Sequence, residues 1–392
     1  MDPSQKIGRR QFLAGIAMGT AGLAALSTLG RFSFRHSNKN LRRHIEQLQR
    51  DRKTVPPLPG LFDLKGVIHV HTFLSPDSQG TPERILRAAR EGGLHFLVTT
   101  DHNNRKLFTE GIQGQFADLV VIRGVEMIKE GQTLLAINTK EYINGHRMSI
   151  QEAVKEIKSQ GGLAFVAHPL WFKEWHVEGI DGMEIYDIAD AAYAQFWKAP
   201  WVALDVLTSW KDYPEEVLLS LLSRPDHHLS KWDRLVNQRR LVGIAGNDAH
   251  ENVNFLGRQV DAYPLDFRFV QTHLLTTTRE ERSLLESLRA GHAYLSFSLL
   301  ADATGFQFFA EKSRILGIMG DELPYTSRLV LAIQAPQTGL IRLYRDGEVV
   351  DKAISGRLQH SVTEKGIYRV EVSLPIGRDQ YPWIFSNPIY VV

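Results

Sequence analysis

Apolar residues in this chain gather into short runs, and run after run ends in a histidine or an acid. Gly66-Val67-Ile68 leads into His69-Val70-His71, and His95-Phe96-Leu97-Val98 into Asp101-His102. Residues 119–122 lead to Glu126, residues 163–166 to His168, and residues 241–245 to Asp248 and His250. Runs of this length, rich in β-branched residues, predict buried strands. Between them the period changes. Residues 82–90 predict a helix with proline in its first turn, closed by Gly92-Gly93. Residues 150–160 predict another, with Ile150, Val154 and Ile157 on one stripe. Alternation of strand and helix argues for a parallel β/α arrangement.

Two stretches break that rhythm. Residues 187–240 carry helical patterns around 215–222 and 232–238, together with Phe196, Trp197, Trp201, Trp210 and Trp232. They predict helices elaborating the strand layer, with most of these aromatics packed against it. His227 and His228, beside Asp226, are expected in solvent. Beyond residue 300 the runs 304–310, 328–335, 339–344, 366–372 and 389–392 show β character without helical periodicity. Asp346-Gly347 tolerates the positive φ that a type I′ hairpin turn needs. A small antiparallel β-sandwich over 301–392 is expected there, structural or substrate-shaping in role.

Composition adds bounds. A chain of 392 residues, 43% hydrophobic and 23% charged, has ample core for two or three domains. The net charge of +2 hides a basic start: residues 1–55 sum to +8, leaving −6 on the body. That body has no nucleic-acid footprint. With no cysteine, disulfides and thiolate metal sites are excluded. Gly8-Arg9-Arg10-Gln11-Phe12-Leu13 opens an uncharged, Gly/Ala-rich stretch to residue 30 that resembles a bacterial twin-arginine export signal. It implies the twin-arginine machinery as partner and a location in the periplasm or outside the cell. No clear small-residue cleavage site follows, and the stretch is long enough to remain as a membrane anchor. Residues 39–53 are expected to form a solvated basic spacer helix, with Leu41, Ile45 and Leu48 on one stripe and anionic lipid headgroups as the alternative contact. Residues 55–60 read as a stiff proline-rich linker.

The chemistry lies in the strand ends. His69 and His71, two apart on a strand, would share a face about 7 Å apart, so that both imidazoles can reach one cation. Acids and imidazoles at strand ends are costly to bury singly and make sense when they share ions.

The set His69-Val70-His71-Thr72…Ser75-Pro76-Asp77-Ser78, Thr100-Asp101-His102-Asn103, Gly124-Val125-Glu126, Ala167-His168-Pro169 and Asn247-Asp248-Ala249-His250 resembles the polymerase and histidinol phosphatase (PHP) family of metal-dependent hydrolases, over residues 64–260. The resemblance implies a distorted seven-stranded β/α barrel over 61–300, with the helical insertion at 187–240. It implies two or three divalent metals, zinc, manganese or iron. His69, His71, Glu126 and Asp248 would hold the first; Glu126 would bridge to a second held by His168; Asp77, His102 and His250 would form the third. Asp77 stands where some members have histidine. The end of the chain, 382–390, resembles the C-terminal β-domain of an exported branch that includes a carbaryl-cleaving type. An eight-stranded amidohydrolase barrel shares His-x-His but would want a later lysine ligand, and none is well placed.

Clustered metals supply a metal-bound hydroxide, so no protein nucleophile is required. Asp101 is expected to orient a ligand or to cap a strand end. Arg258, eight residues after His250, is a candidate for a substrate phosphate or for a surface ion pair. The leading expectation is a phosphoesterase acting on a small molecule. The alternatives are a carbamate, carboxylic ester or amide hydrolase, and a periplasmic binding protein with structural metals.

Overall fold

The computed structural model describes residues 27–392, so the twin-arginine motif and most of the expected leader lie outside the described residues. Seven strands carry the motifs: β1 (Phe62–Val70), β2 (Phe96–Thr99), β3 (Leu119–Lys129), β4 (Gln132–Ile137), β5 (Leu163–Ala167), β6 (Gly182–Asp187) and β7 (Val242–Gly246). β1, β2 and β3 pair in parallel, and so do β5, β6 and β7. β4 is antiparallel to both β3 and β5. The chain after β7 returns to β1 through Asn247 N–H to Ile68 C=O (3.0 Å), Ala249 N–H to His69 C=O (3.2 Å) and His71 N–H to Ala249 C=O (2.9 Å).

The layer is therefore mixed rather than purely parallel. The cause is local: Glu130 (φ 50°) and Gly131 (φ 77°) form a two-residue turn with both φ angles positive, which reverses the chain before any helix can intervene. The predicted helices are present. α2 (Pro82–Glu91) is capped by Thr81, and α3 (Ile150–Ser159) starts with a full capping box between Ser149 and Glu152. α3 buries Ile150, Ala153, Val154 and Ile157.

α1 (Ser27–Asp51) is not the solvated spacer expected of its basic sequence. Arg42 makes two 2.7 Å bonds to the Glu216 carboxylate, Asn38 donates to Asp205 at 2.8 Å, and Ile45 is buried in the main core. Its partners are helices α5 (Ala199–Ser209) and α6 (Pro214–Leu219), which follow α4 (Ile188–Ala194) and precede α7 (Asp226–Val236). Of the aromatics in this segment Trp232 is fully inside, donating to Leu241 C=O at 2.9 Å. Phe196, Trp197 and Trp201 are more than half exposed, against the expectation that most would pack inward.

β8 (Gln271–Thr276) flanks β1 and β9 (Ala293–Ser296) flanks β8. Then come β10 (Gln307–Glu311), β11 (Val330–Arg345), β12 (Glu348–Ser361), β13 (Gly366–Ile376), β14 (Asp379–Ser386) and β15 (Ile389–Val391), antiparallel throughout their mutual pairings. The turn from β11 to β12 has φ of 53° at Asp346 and 89° at Gly347, as the Asp-Gly signal predicts. β14 pairs with β9, so the sheet runs on across the boundary expected at 301.

A buried ion cluster ties this sheet to α7. Arg369, 2% exposed, grips Asp233 at 2.6 and 2.7 Å and Glu371 at 2.6 Å, while Arg224 binds Glu371 at 2.6 and 2.8 Å. Burial would raise the Glu371 carboxyl, but the two guanidinium groups hold it below the usual carboxylate range. Its contribution is therefore present at neutral pH and lost as pH falls through that lowered value. Glu371→Gln should destabilise the chain by about 1.5–3 kcal/mol, because it removes the carboxylate that Arg369 and Arg224 share and leaves Asp233 to offset Arg369 alone. The denaturant midpoint measures this.

Candidate metal centre

The expected ligands converge at one end of the seven strands. His69 does not reach the site by plain strand alternation. It sits at φ 69°, where the β1–β2 register shifts between Ile68 and Val70, and this bulge turns both imidazoles into the same pocket, ring centroids 5.2 Å apart. His168 (φ 48°) and Asp248 (φ 46°) are also left-handed. Three of the ten non-glycine residues with positive φ among the described residues are expected ligands, and strain of this kind is often held at functional sites.

The distances are those of groups arranged around something. His69 Nε2 is 3.7 Å from Glu126 Oε1 and 3.6 Å from Asp248 Oδ1. His71 Nε2 is 3.6 Å from Glu126 Oε2 and 3.5 Å from Asp248 Oδ1. His168 Nε2 is 3.7 Å from Glu126 Oε1. These separations are too long for hydrogen bonds. They match the roughly 3.4 Å expected between neighbouring tetrahedral ligands each about 2.1 Å from one ion. His69 Nε2 and His71 Nε2 are buried with no hydrogen-bond partner, a costly state that a cation relieves. On the other side of Glu126, His102 Nδ1 lies 2.6 Å from Oε2, His102 Nε2 lies 3.1 Å from Asp77, and His250 Nε2 lies 3.5 Å from Asp77. Glu126 thus faces all three expected groups. Asp77, 49% exposed, is the most open member.

The far nitrogens fix the tautomers. His69 Nδ1 donates to Glu184 (2.7 Å), His168 Nδ1 to Asp190 (3.1 Å) and His250 Nδ1 to the Asp248 carbonyl (2.9 Å). His71 Nδ1 donates to Ser75 Oγ (2.9 Å), whose own proton goes to Asp101 (2.7 Å). In each ring the Nε2 lone pair is left for an ion, the arrangement typical of metal-binding histidine. Asp101 also accepts from the Thr72 backbone (2.6 Å) and hydroxyl (2.8 Å), so Thr72 and Ser75 fix the carboxylate that stands behind His71. Burial, with His250 and His69 alongside, pushes the His71 pKa down and keeps the ring neutral, its ligating form. Burial opposes charge on His69 too, but Glu184, Glu126 and Asp248 outweigh it and raise the pKa. The pocket calls for positive charge.

Several of these supports were not expected. Glu184 is fully buried, its carboxyl pushed up to about 7 chiefly by burial, and its second oxygen accepts the His168 backbone N–H at 2.9 Å. Gly246 makes room for it: a Cβ there would lie 2.1 Å from Glu184 Oε1. Asp187 caps α4 by accepting from Asp190 N–H (2.8 Å), and Asp190 in turn meets His228 Nε2 at 3.3 Å. His228 is therefore buried in the network, not in solvent as expected, while His227 is exposed. The missed signal was an acid inside the apolar run Gly182-Met183-Glu184-Ile185-Tyr186-Asp187, the same pattern as the other strand ends. Arg258 pairs with Phe255 in a two-stranded hairpin, and among the described residues it makes no hydrogen bond or ion pair with the cluster. Asp190→Asn should weaken metal retention about 10–100-fold by freeing the His168 ring, with secondary structure unchanged. Competition with a chelator measures it.

The chain carries these motifs, brought together in space, as a candidate metal centre built from His, Asp and Glu. It belongs to the same family as an uncharacterized protein of Methanocaldococcus jannaschii, to which it is 31% identical over 118 residues, 27% of this chain and 68% of that one. No protein-family model matches. Among solved structures, it is similar to a two-domain Bacteroides vulgatus protein containing a predicted PHP-like metal-dependent phosphoesterase (14% identity, 86% of this chain, 98% of that chain, TM-score 0.45). A Bifidobacterium adolescentis protein assigned as a metal-dependent phosphoesterase is similar over 50% of this chain and 91% of that one, at 16% identity and TM-score 0.31.

Proposed function

We propose that the chain is a divalent-metal-dependent hydrolase acting on a phosphoester, its ions held at the mouth of a distorted seven-stranded barrel formed by β1–β7. The observation that carries this is the pair of buried, unpartnered imidazole nitrogens of His69 and His71, 3.5–3.7 Å from two shared carboxylates. His69, His71, Glu126 and Asp248 would hold one ion, Glu126 and His168 a second, and Asp77, His102 and His250 a third. Bound zinc, manganese or iron would lower the pKa of a water and polarise the oxygen of the scissile group. The chain's own part is to hold rings and carboxylates in place: Glu184, Asp190 and Ser75–Asp101 keep His69, His168 and His71 oriented. No side-chain nucleophile is needed. The test is a parallel screen of phosphomonoesters, phosphodiesters, carboxylic esters and carbamates with each metal. Metal-dependent release of phosphate supports the reading; turnover of the carbon esters alone replaces it.

That second reading, an ester, carbamate or amide hydrolase, has its own support. The cavity beside His102 and Glu126 is walled mainly by apolar side chains, with Lys129 as its lysine. Metal retention without hydrolysis of any class would instead favour a binding protein with structural ions.

Export by the twin-arginine route remains our proposal for localisation. Among the described residues no helix is long and apolar enough to cross a membrane. Residues 31–53 carry a local +6, which opposes transfer of an unfolded chain. α1, which carries most of this basic stretch, is docked through Arg42–Glu216, as suits export of a folded, metal-loaded protein. Replacing Arg9 and Arg10 with lysine should hold the precursor in the cytoplasm, because recognition reads guanidinium geometry. Fractionation with undiminished export of the double variant would contradict the route.

A further inference from the structure

Beside the cluster of expected ligands lies a cavity of about 190 Å³ that shares His102 and Glu126 with it. Its far walls are apolar: Met127 and Leu134 from β3 and β4, Met148 from the loop before α3, and Ile150 and Ala153 from the first turns of α3. Leu134, Ile150, Ala153 and Met127 belong to the main core, so the walls are backed by packed protein. The floor is equally constrained. A Cβ on Gly145 would lie 2.7 Å from the Met127 methyl, so glycine lets that loop close against the pocket. Pockets that take a whole drug-sized ligand run to about 300–1,000 Å³, so this one suits a part of a ligand.

We infer that this cavity is a subsite for the apolar alcohol portion of the ester, a single ring or a short alkyl chain. The inference rests on the hydrolase reading above and adds the substrate class. Its support is continuity: Glu126, whose carboxylate faces every expected ion, also lines the cavity. An ester whose phosphorus or carbonyl carbon sits at the cluster directs its alcohol portion into the adjoining apolar space. In the balanced reaction the oxygen of water bonds to that phosphorus or carbon. The bond to the alcohol oxygen breaks, and that oxygen leaves with a proton as the free alcohol or phenol. Burying each further methylene of the alcohol adds binding that is retained in the transition state.

The test uses the full-length, metal-loaded chain and two matched series, alkyl phosphates and alkyl acetates from methyl to hexyl, each with its phenyl ester. In whichever series is hydrolysed, kcat/KM should rise about fourfold per methylene until the cavity is full, then level off. Ala153→Leu fills the cavity from α3, and Met148→Trp fills it from the loop. Either should lower kcat/KM for the hexyl and phenyl esters at least about tenfold more than for the methyl ester. Hydrolysis with a flat chain-length profile overturns the subsite and leaves the hydrolase reading standing. No hydrolysis of either series by the metal-loaded chain overturns both.

Discussion

Asp248→Asn should leave the chain folded and reduce metal-dependent turnover by at least about 10³-fold, more than the 10–100-fold typical of losing a residue that only orients a ligand. Asp248 Oδ1 stands 3.5 and 3.6 Å from the Nε2 atoms of His71 and His69. Glu126 is the other carboxylate that faces both rings. The amide keeps the shape and removes the negative charge that offsets the ion. His69→Ala should abolish turnover as well, but it is a less clean experiment. It deprives buried Glu184 of the imidazole 2.7 Å away, so part of its effect will be lost stability. Comparing kcat/KM with the melting temperature of the metal-free variants separates the two. Wild-type activity in Asp248→Asn at wild-type metal content would remove Asp248 from the ligand set.

The second large effect belongs to Glu126. Its two oxygens face His69 and His168 on one side and His71 and His102 on the other, with His102 Nδ1 only 2.6 Å away. Glu126→Gln should therefore remove more than one equivalent of metal, while Asp77→Ala, at the exposed edge, should remove one. The contrast follows from geometry: a bridging carboxylate is shared, a peripheral one is not. Equal losses in the two variants, by elemental analysis, would contradict the bridge.

The candidate site was legible in the sequence because its expected ligands, apart from Asp77 in its polar turn, lie at or just beyond apolar runs, and burying a run carries its end into the protein. What the local pattern could not give was the reason for convergence. His69 and His71 meet through a bulge with positive φ at His69, and nothing in His-x-His announces a bulge. Glu184 and Asp190 were passed over because a lone buried acid has no meaning until its partners are known, and Asp190 meets His168 across 22 residues of chain. β4 was missed because it opens on Gln132-Thr133 and follows β3 after only two residues. β12 was missed for a different reason: its side chains are mostly exposed or half-exposed, so it carries little apolar signal and is held by pairing with β11. The docking of α1 depends on Arg42 and Glu216, 174 residues apart, where a basic stripe alone reads as solvated.

The account stands or falls on whether this cluster holds ions. The direct measurement is elemental analysis of the full-length chain after exhaustive dialysis, alongside Asp248→Asn as the reference. The account predicts two or three equivalents of zinc, manganese or iron in the wild type and fewer in the variant. A wild-type chain that keeps less than one equivalent, even after reconstitution with each of the three metals, would contradict it.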